Sequence, residues 1–207
     1  MGTLRFFNLQ PLLEQYGCRV LFETGTGLGD AVKYASYFRL DKLISVEIHP
    51  ALAAQAQAEI GRDPRVRIVC NSSEAALRSE LPKIPKSTPI LFWLDAHFPG
   101  ADYGLGDYTG EQDQDRRLPL QRELALIAEL RAGARDVLLL DDLRVYEDGD
   151  YGQGPCPAEA LPPPAMRNLD CLAEWSETHD VRRLYQHTGY VMLLPKAAGV
   201  VPLRQAA

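Results

Sequence analysis

Short apolar runs alternate with helical patterns along the first two thirds of the chain. The runs predict strands at residues 19–23, 43–47, 66–70, 90–95 and 137–141. They are almost continuously apolar, as expected for strands covered on both faces of a sheet. The spacing of apolar residues between them predicts helices at about 30–39, 51–61, 74–80 and 119–132. This alternation predicts a parallel sheet with right-handed crossovers.

The two ends of the chain depart from the alternation. The segment "NLQPLLEQYG" near the N-terminus predicts a helix that leads into the first strand. The segment "VRRLYQHTGYVMLLP" predicts two strands about a turn near His187 to Gly189, and therefore an antiparallel pair. We expect an α/β fold of Rossmann-like, doubly wound type. Its sheet would have seven mostly parallel strands and an antiparallel C-terminal edge hairpin.

Length and loop content indicate how the chain is organised. A chain of 207 residues predicts a single domain spanning 1–207. Two segments, 97–118 and 144–166, read as long loops. Loops longer than about 12–15 residues are usually functional or disordered, so both are predicted to border an active site.

Composition restricts the partners. The net charge of −6 argues against non-specific nucleic-acid binding. No apolar run approaches the roughly 20 residues of a membrane span, and the N-terminus shows no signal-peptide core. The four cysteines form no CxxC pair, which predicts reduced thiols and a cytoplasmic location. We expect a small-molecule acceptor as the partner; a homo-oligomer stays open.

The stretch "VLFETGTGLGD" (20–30) places Gly25, Gly27 and Gly29 directly after the first predicted strand. Ligands of open α/β sheets bind outside the carboxyl ends of the strands. Glycine allows both a sharp turn and a close approach of the ligand. A tight turn without a ligand is the alternative, but three alternating glycines after Glu23 favour a binding loop.

Nucleotide cofactors can be distinguished by the spacing in this loop. Dinucleotide sites use GxGxxG, and here Asp30 stands in place of the last glycine, where its carboxylate would repel a pyrophosphate. No Lys-Ser/Thr follows, so the Walker pattern is absent. An NAD(P)-dependent dehydrogenase or epimerase of Rossmann type stays the alternative, although no convincing Tyr-x-x-x-Lys pair accompanies it.

The ExGxGxG pattern resembles motif I of class I S-adenosylmethionine-dependent methyltransferases. Their cofactor is a cation without phosphate, so acidic residues near the loop are favourable. The resemblance implies that Glu23 lies near the methionine amino group of S-adenosylmethionine. The cofactor-binding residues implied in this loop are Glu23, Thr24, Gly25, Thr26, Gly27 and Gly29.

Two further strand ends are expected to contact the cofactor. Glu47 ends the second strand, and its carboxylate can accept hydrogen bonds from both ribose hydroxyls. NAD enzymes also place an acid near this position, so Glu47 alone does not decide between cofactors. Asn71 and Ser72 follow the third strand, where the methyltransferases contact adenine. Alternatively, Ser72 or Ser73 caps the next helix.

The fourth and fifth predicted strands end in carboxylates. "FWLDAH" supplies Asp95 and His97, and "LLLDDLR" supplies Asp141 and Asp142. Because these strands are neighbours in the expected sheet, the aspartates should converge, and unpaired buried carboxylates are costly. Three oxygen ligands on rigid strand ends would suit Mg²⁺. The alternative is that Asp142 caps or pairs with Arg144 and that His97 is a loop residue.

These two segments together resemble bacterial O-methyltransferases of the Mg²⁺-dependent type that modify sugars and macrolides. The resemblance implies that Asp95, Asp141 and Asp142 are metal ligands and that His97 is a base. Asp95 would also contact the cofactor. We therefore expect a methyltransferase-like domain that transfers a methyl group to a small-molecule hydroxyl with Mg²⁺ assistance, since a hydroxyl is a poor nucleophile. A non-catalytic methyltransferase-like binding domain is a further alternative.

Overall fold

The computed structural model describes residues 3–109, 111 and 113–196. The strands are β1 (Val20–Thr24), β2 (Lys42–Glu47), β3 (Val66–Cys70), β4 (Ile90–Leu94), β5 (Val137–Leu140), β6 (His179–Leu184) and β7 (Tyr190–Pro195). Within the described residues they form one seven-stranded sheet in the order β3-β2-β1-β4-β5-β7-β6. Strands β1 to β5 pair in parallel, and β7 pairs antiparallel to β5 and β6. The predicted fold class is confirmed.

Helices connect and cover the strands. They are α1 (Leu9–Tyr16), α2 (Asp30–Ala35), α3 (Pro50–Ile60), α4 (Ser73–Glu80), α5 (Gln114–Arg117), α6 (Leu120–Leu130), α7 (Leu143–Tyr146) and α8 (Leu172–Thr178). The predicted helix at 30–39 is too long, because the Ser36 hydroxyl donates to the Lys33 carbonyl and satisfies a group at the helix end. The predicted loop at 97–118 contains α5, whose first turn is capped by Asp113. Most of α7 lies within the predicted loop at 144–166.

Both faces of the sheet are covered by apolar side chains. On one face, Phe22 and Phe92 belong to a core that includes Leu77 of α4 and Leu124 of α6. On the other face, Leu21, Leu91 and Leu139 belong to a core that includes residues of α1 and α2. Burial on both faces explains why the central strands are almost continuously apolar.

The strand order fixes where a ligand can bind. The chain leaves β1 toward β2 on one side, and returns to β4 on the other, so a topological switch point lies between β1 and β4. Beyond the strand ends, the backbone N–H of Asp95 donates to the Thr24 carbonyl at 3.0 Å, and that of Asp141 donates to the Leu94 carbonyl at 3.1 Å. These bonds hold both aspartates at the carboxyl edge of the sheet.

Two other features bear on the setting of the protein. Within the part of the chain that the structure describes, no helix combines the length and apolar character needed to cross a membrane. The four cysteines all lie in that part and form no disulfide. A cytoplasmic location stays a prediction.

Candidate active site

The glycine loop has a backbone that other residues adopt only with strain. Gly25, Gly27 and Gly29 have φ angles of +85°, +52° and +85°. The backbone N–H groups of Gly25 and Thr26 both donate to the Val46 carbonyl, at 2.9 and 3.0 Å, which ties the loop to β2. A Cβ on Gly25 would lie 2.2 Å from the carbonyl oxygen of Asp95. Gly25 therefore allows the loop after β1 to pass against the end of β4.

We expect Gly25→Ala to destabilise the fold more than an alanine substitution at a glycine that has a similar positive φ but no close neighbours. Gly133 has a φ of +81°, and a Cβ added there would have no neighbour within 4 Å, so Gly133→Ala is the matched control. Overlap with Asp95 should cost Gly25→Ala about 2 kcal/mol more in free energy of unfolding. Thermal melts should show a Tm about 4–8 °C lower than that of Gly133→Ala. Equal melting temperatures would contradict the proposed contact.

Glu23 lies behind the glycine loop in a buried polar network. Its side chain accepts a hydrogen bond from the Ser45 hydroxyl, and Thr26 Oγ1 lies 2.6 Å from Ser45 Oγ. Burial raises the pKa of Glu23 to about 8, against the opposing effect of the Ser45 hydrogen bond. Glu23 is therefore protonated at neutral pH in this structure.

The raised pKa of Glu23 makes stability depend on pH. Stability from its protonation is fully present below the ordinary pKa of 4.5 and is lost as pH rises to about 8. Glu23→Gln cannot ionise. As pH rises from 5 to 8, its free energy of unfolding should therefore increase relative to that of the wild type, by on the order of 3 kcal/mol. Denaturant titrations of the two proteins at each pH measure this gain. A difference that stays constant across the range would show that Glu23 does not titrate as described.

A cavity of about 280 Å³ opens at the carboxyl ends of the strands. The predicted cofactor residues on its wall are Gly25, Gly27, Glu47, Asn71, Ser72 and Asp95. Four others are not on the wall. Glu23, Thr24 and Thr26 are buried, and Gly29 packs α2 against Ile60 of α3. Their predicted contacts with the cofactor stay predictions.

The polar residues on the β2 and β3 side already accept hydrogen bonds from backbone N–H groups on or near the cavity wall. Glu47 accepts from the backbone N–H groups of Gly27 and His49, each at 2.8 Å. Ser72 accepts from the Ala75 N–H at 3.3 Å, so it does cap α4. Asn71 Oδ1 accepts from the Ser72 N–H at 2.9 Å. The cap and a place on the cavity wall are compatible, and contacts with ribose or adenine stay predictions.

On the β4 and β5 side, His97 bridges two aspartates. Its Nε2 lies 2.9 Å from Asp142 Oδ2, and its Nδ1 lies 3.4 Å from Asp95 Oδ1. Burial lowers the pKa of His97, but the charges of Asp142 and Asp95 outweigh burial and raise the pKa to about 10. This raised pKa favours the protonated form of His97 in this arrangement, and its role as a base stays a prediction.

The aspartates differ in their surroundings. Burial and the charge of Asp141 raise the pKa of Asp95 well above its ordinary value. Burial and the charge of Asp142 raise the pKa of Asp141 to about 6. Burial acts to raise the pKa of Asp142, but the His97 cation lowers it on balance. Arg144 Nε lies 3.5 Å from Asp142 Oδ1, as an ion pair rather than an aligned hydrogen bond.

The donor atoms of this cluster fit a hard divalent cation in their chemistry. Asp141 Oδ2 and Asp142 Oδ1 are buried carboxylate oxygens without a hydrogen-bond partner. Oxygen donors of this kind suit Mg²⁺. Among residues 3–109, 111 and 113–196, however, no three His, Cys, Asp or Glu side chains are arranged to hold a metal. The structure brings the three predicted ligands together, with His97 between Asp95 and Asp142, and the metal stays a prediction.

A buried acid that the sequence reasoning missed lies behind the cluster. Glu123 is buried, and its Oε1 has no hydrogen-bond partner. A cavity of about 10 Å³, the size of one water at most, separates Glu123 from His97, Asp141 and Tyr146. Burial raises the pKa of Glu123 to about 7. The sequence did contain a sign of this burial, because Glu123 falls within the apolar stripe of α6.

The two predicted active-site loops differ in their relation to the cavity. The first supplies His97, Phe98, Pro99, Gly100, Asp102, Tyr103, Asp113, Asp115 and Arg116 to its wall. The second, 144–166, supplies no residue to that wall, and its predicted position at the active site stays a prediction. Arg117 joins the two loops, because its guanidinium donates to the carbonyls of Tyr108 at 2.7 Å and Ala160 at 3.4 Å. The second loop therefore supports the first from behind.

Comparison with known proteins gives a likeness at the level of structure. No protein-family model matches the chain, and no curated protein sequence matches it significantly. The chain superposes on the O-methyltransferase TomG from Streptomyces achromogenes, involved in tomaymycin synthesis and solved with S-adenosylmethionine. The TM-score is 0.56 at 17% identity, over 91% of this chain and 78% of that one.

Two further solved structures resemble the chain to a similar degree. The S-adenosylhomocysteine-bound methyltransferase PaMTH1 from Podospora anserina gives a TM-score of 0.54 at 16% identity, over 90% and 75% of the two chains. An O-methyltransferase from Bacillus cereus, also in complex with S-adenosylhomocysteine, gives 0.54 at 14% identity, over 91% and 79%. At these identities the likeness shows the fold, and this chain has the Rossmann-like fold of class I methyltransferases.

Proposed function

We propose that this protein is an S-adenosylmethionine-dependent methyltransferase that acts on a hydroxyl of a small molecule, with Mg²⁺ assistance. The observation that carries the proposal is the cavity wall where Gly25 and Gly27 meet the carboxylates of Glu47 and Asp95. Bare backbone beside two carboxylates suits an adenosine-linked cation. The methyltransferase fold supports the same choice.

The residues around this cavity are less suited to binding a dinucleotide. Asp30 is the first residue of α2, where a pyrophosphate would approach the N-terminus of the helix. Its carboxylate would repel that group. The dehydrogenase alternative is therefore not favoured.

The proposed roles follow from position. The glycine loop would carry the methionine part of the cofactor, Glu47 its ribose, and Asn71 with Ser72 its adenine. Glu23 would act through Ser45 and Thr26, which join it to the loop. Asp95 lies at the boundary between this part of the cavity and His97. The acceptor would therefore meet the methyl group beside Asp95.

Methyl transfer is an in-line displacement at the sulfonium, so the protein mainly positions the acceptor. The oxygen of the acceptor forms a bond to the methyl carbon as the carbon–sulfur bond breaks and S-adenosylhomocysteine leaves. The proton of the hydroxyl passes to the pair formed by Asp95 and His97, whose nearest atoms lie 3.4 Å apart.

Asp95, Asp141 and Asp142 are the residues that would hold Mg²⁺. A bound divalent cation would lower the pKa of the acceptor hydroxyl. The unpartnered Oδ2 of Asp141 supports this assignment. The net charge of −6 and the small size of the cavity support a small-molecule acceptor rather than nucleic acid.

A methyl-transfer assay tests the proposal. The protein is incubated with methyl-labelled S-adenosylmethionine, Mg²⁺ and matched pairs of small acceptors that differ only in a hydroxyl or an amine. We expect labelled product from hydroxyl compounds, with one S-adenosylhomocysteine formed per methyl group. Transfer to amines alone would refute the choice of oxygen. Binding of the cofactor without turnover of any acceptor would favour a non-catalytic domain.

A further inference from the structure

The segment 98–105 follows β4 but reaches across the ends of two other strands. Phe98, Gly100 and Gly104 have φ angles of +49°, +74° and +67°. The Leu105 N–H donates to the Gly100 carbonyl at 3.0 Å, which closes the segment into a tight turn. Buried Phe98 anchors it beneath the guanidinium of Arg117, 5.2 Å from the ring centre. This geometry fixes the position of Tyr103 at the far side of the turn.

The hydroxyl of Tyr103 lies on the glycine loop. A Cβ on Gly27 would lie 1.9 Å from the hydroxyl oxygen and 2.6 Å from Cζ of Tyr103, so only glycine leaves room for this contact. The backbone N–H of Leu28 lies beside the same oxygen and acts to lower its pKa, although burial raises the pKa overall. At its other end, the segment approaches His49 at the start of α3. It therefore forms a roof from the end of β1 to the end of β2.

The roof lies over a small cavity that is partly open to solvent. The cavity of about 280 Å³ is just below the roughly 300–1,000 Å³ range of small-molecule sites. Tyr103 lines this cavity, yet 36% of its surface is exposed to solvent. A residue that separates the cavity from solvent and touches the opposite wall with the tip of its side chain is placed to open and close the cavity.

We propose that Tyr103 is a latch that closes the cofactor cavity by seating its hydroxyl on the glycine loop at Gly27 and Leu28. This inference rests on the proposed function. The latch leaves the loop when the cofactor enters, and it returns to retain the cofactor during transfer. Tyr103 thus controls how long S-adenosylmethionine and S-adenosylhomocysteine stay bound.

The same segment offers a matched control. The Tyr108 hydroxyl donates to Asp102 at 2.7 Å, and its ring packs edge-on against Phe98. Tyr108 is not on the wall of the cavity. Tyr108→Phe therefore removes the same group from the same part of the chain, together with its bond to Asp102, and leaves Tyr103 with its hydroxyl in place.

The test measures binding of S-adenosylhomocysteine to the full chain by calorimetry and its dissociation rate by stopped flow. Loss of one hydrogen bond in Tyr103→Phe should raise Kd about 3- to 10-fold, mainly through faster dissociation. Tyr108→Phe should stay within about 2-fold of the wild type. S-adenosylhomocysteine should dissociate from Tyr103→Ala faster still, because this substitution also removes the ring that covers the cavity.

The outcomes separate this inference from the proposed function. Equal dissociation from the wild type, Tyr103→Phe and Tyr108→Phe would refute the latch and leave the proposed function intact. Tighter binding by Tyr103→Phe would also refute it, because Tyr103 would then obstruct the cavity. Failure of the wild type to bind S-adenosylhomocysteine would instead refute the proposed function.

Discussion

Asp95→Asn is expected to lower kcat for methyl transfer by about 10²- to 10⁴-fold, the range of a general base. Asn cannot accept a proton or balance the charge of His97, which lies 3.4 Å from Asp95 Oδ1. The fold should survive, because the backbone N–H of Asp95 keeps its bond to Thr24. Initial rates at saturating cofactor and acceptor measure the effect, and calorimetry with S-adenosylhomocysteine measures the remaining binding.

The control for Asp95→Asn is the same change at the other end of the sheet. Asp41 pairs with Arg19 at the protein surface, next to the start of β2. Asp41→Asn should leave kcat within about 2-fold of the wild type, since exposed ion pairs contribute little. If Asp95→Asn turned over as fast as Asp41→Asn, neither Asp95 nor its pair with His97 would take part in the reaction.

Removal of divalent cations is expected to lower methyl transfer by about 10²-fold or more, since a metal supplies several kcal/mol of charge stabilisation. EDTA treatment followed by dialysis should abolish most activity, and added Mg²⁺ should restore it. Binding of S-adenosylhomocysteine should change little, because the glycine loop and Glu47 carry no predicted metal ligand.

Asp141→Asn tests the same site by mutation. Its side-chain oxygen can still accept from the Asp142 N–H and the Thr188 hydroxyl, so the local structure should persist. The loss of charge should weaken the response to Mg²⁺ and lower activity by a similar factor. Activity unchanged both by EDTA and by Asp141→Asn would remove the metal from the proposal.

The fold could be predicted from the sequence because strands that are buried on both faces of a sheet appear as runs of consecutive apolar residues. The apolar runs marked β1 to β5 to within about one residue at each end. The same runs placed Asp95 and Asp141 correctly, because each is the first polar residue after a buried strand. Because β4 and β5 are parallel neighbours, the sheet topology is enough to bring Asp95 and Asp141 close together.

The features of the site that depend on tertiary contacts could not be predicted from the sequence. The raised pKa of His97 follows from its distances to Asp142 and Asp95, which no local pattern encodes. The position of Tyr103 follows from a turn with three positive φ angles that is anchored by Arg117. The sequence suggested only that Tyr103 lies in an active-site loop, and it gave no sign that the hydroxyl would rest on Gly27.

The central claim is that the cavity at the ends of β1 and β2 accepts an adenosine-linked cation rather than a dinucleotide. Calorimetric titration of the purified chain with S-adenosylmethionine, and separately with NAD⁺, tests it most directly. We predict saturable binding of S-adenosylmethionine at one site per chain, and no heat of binding with NAD⁺. Saturable binding of NAD⁺ without binding of S-adenosylmethionine would contradict the claim.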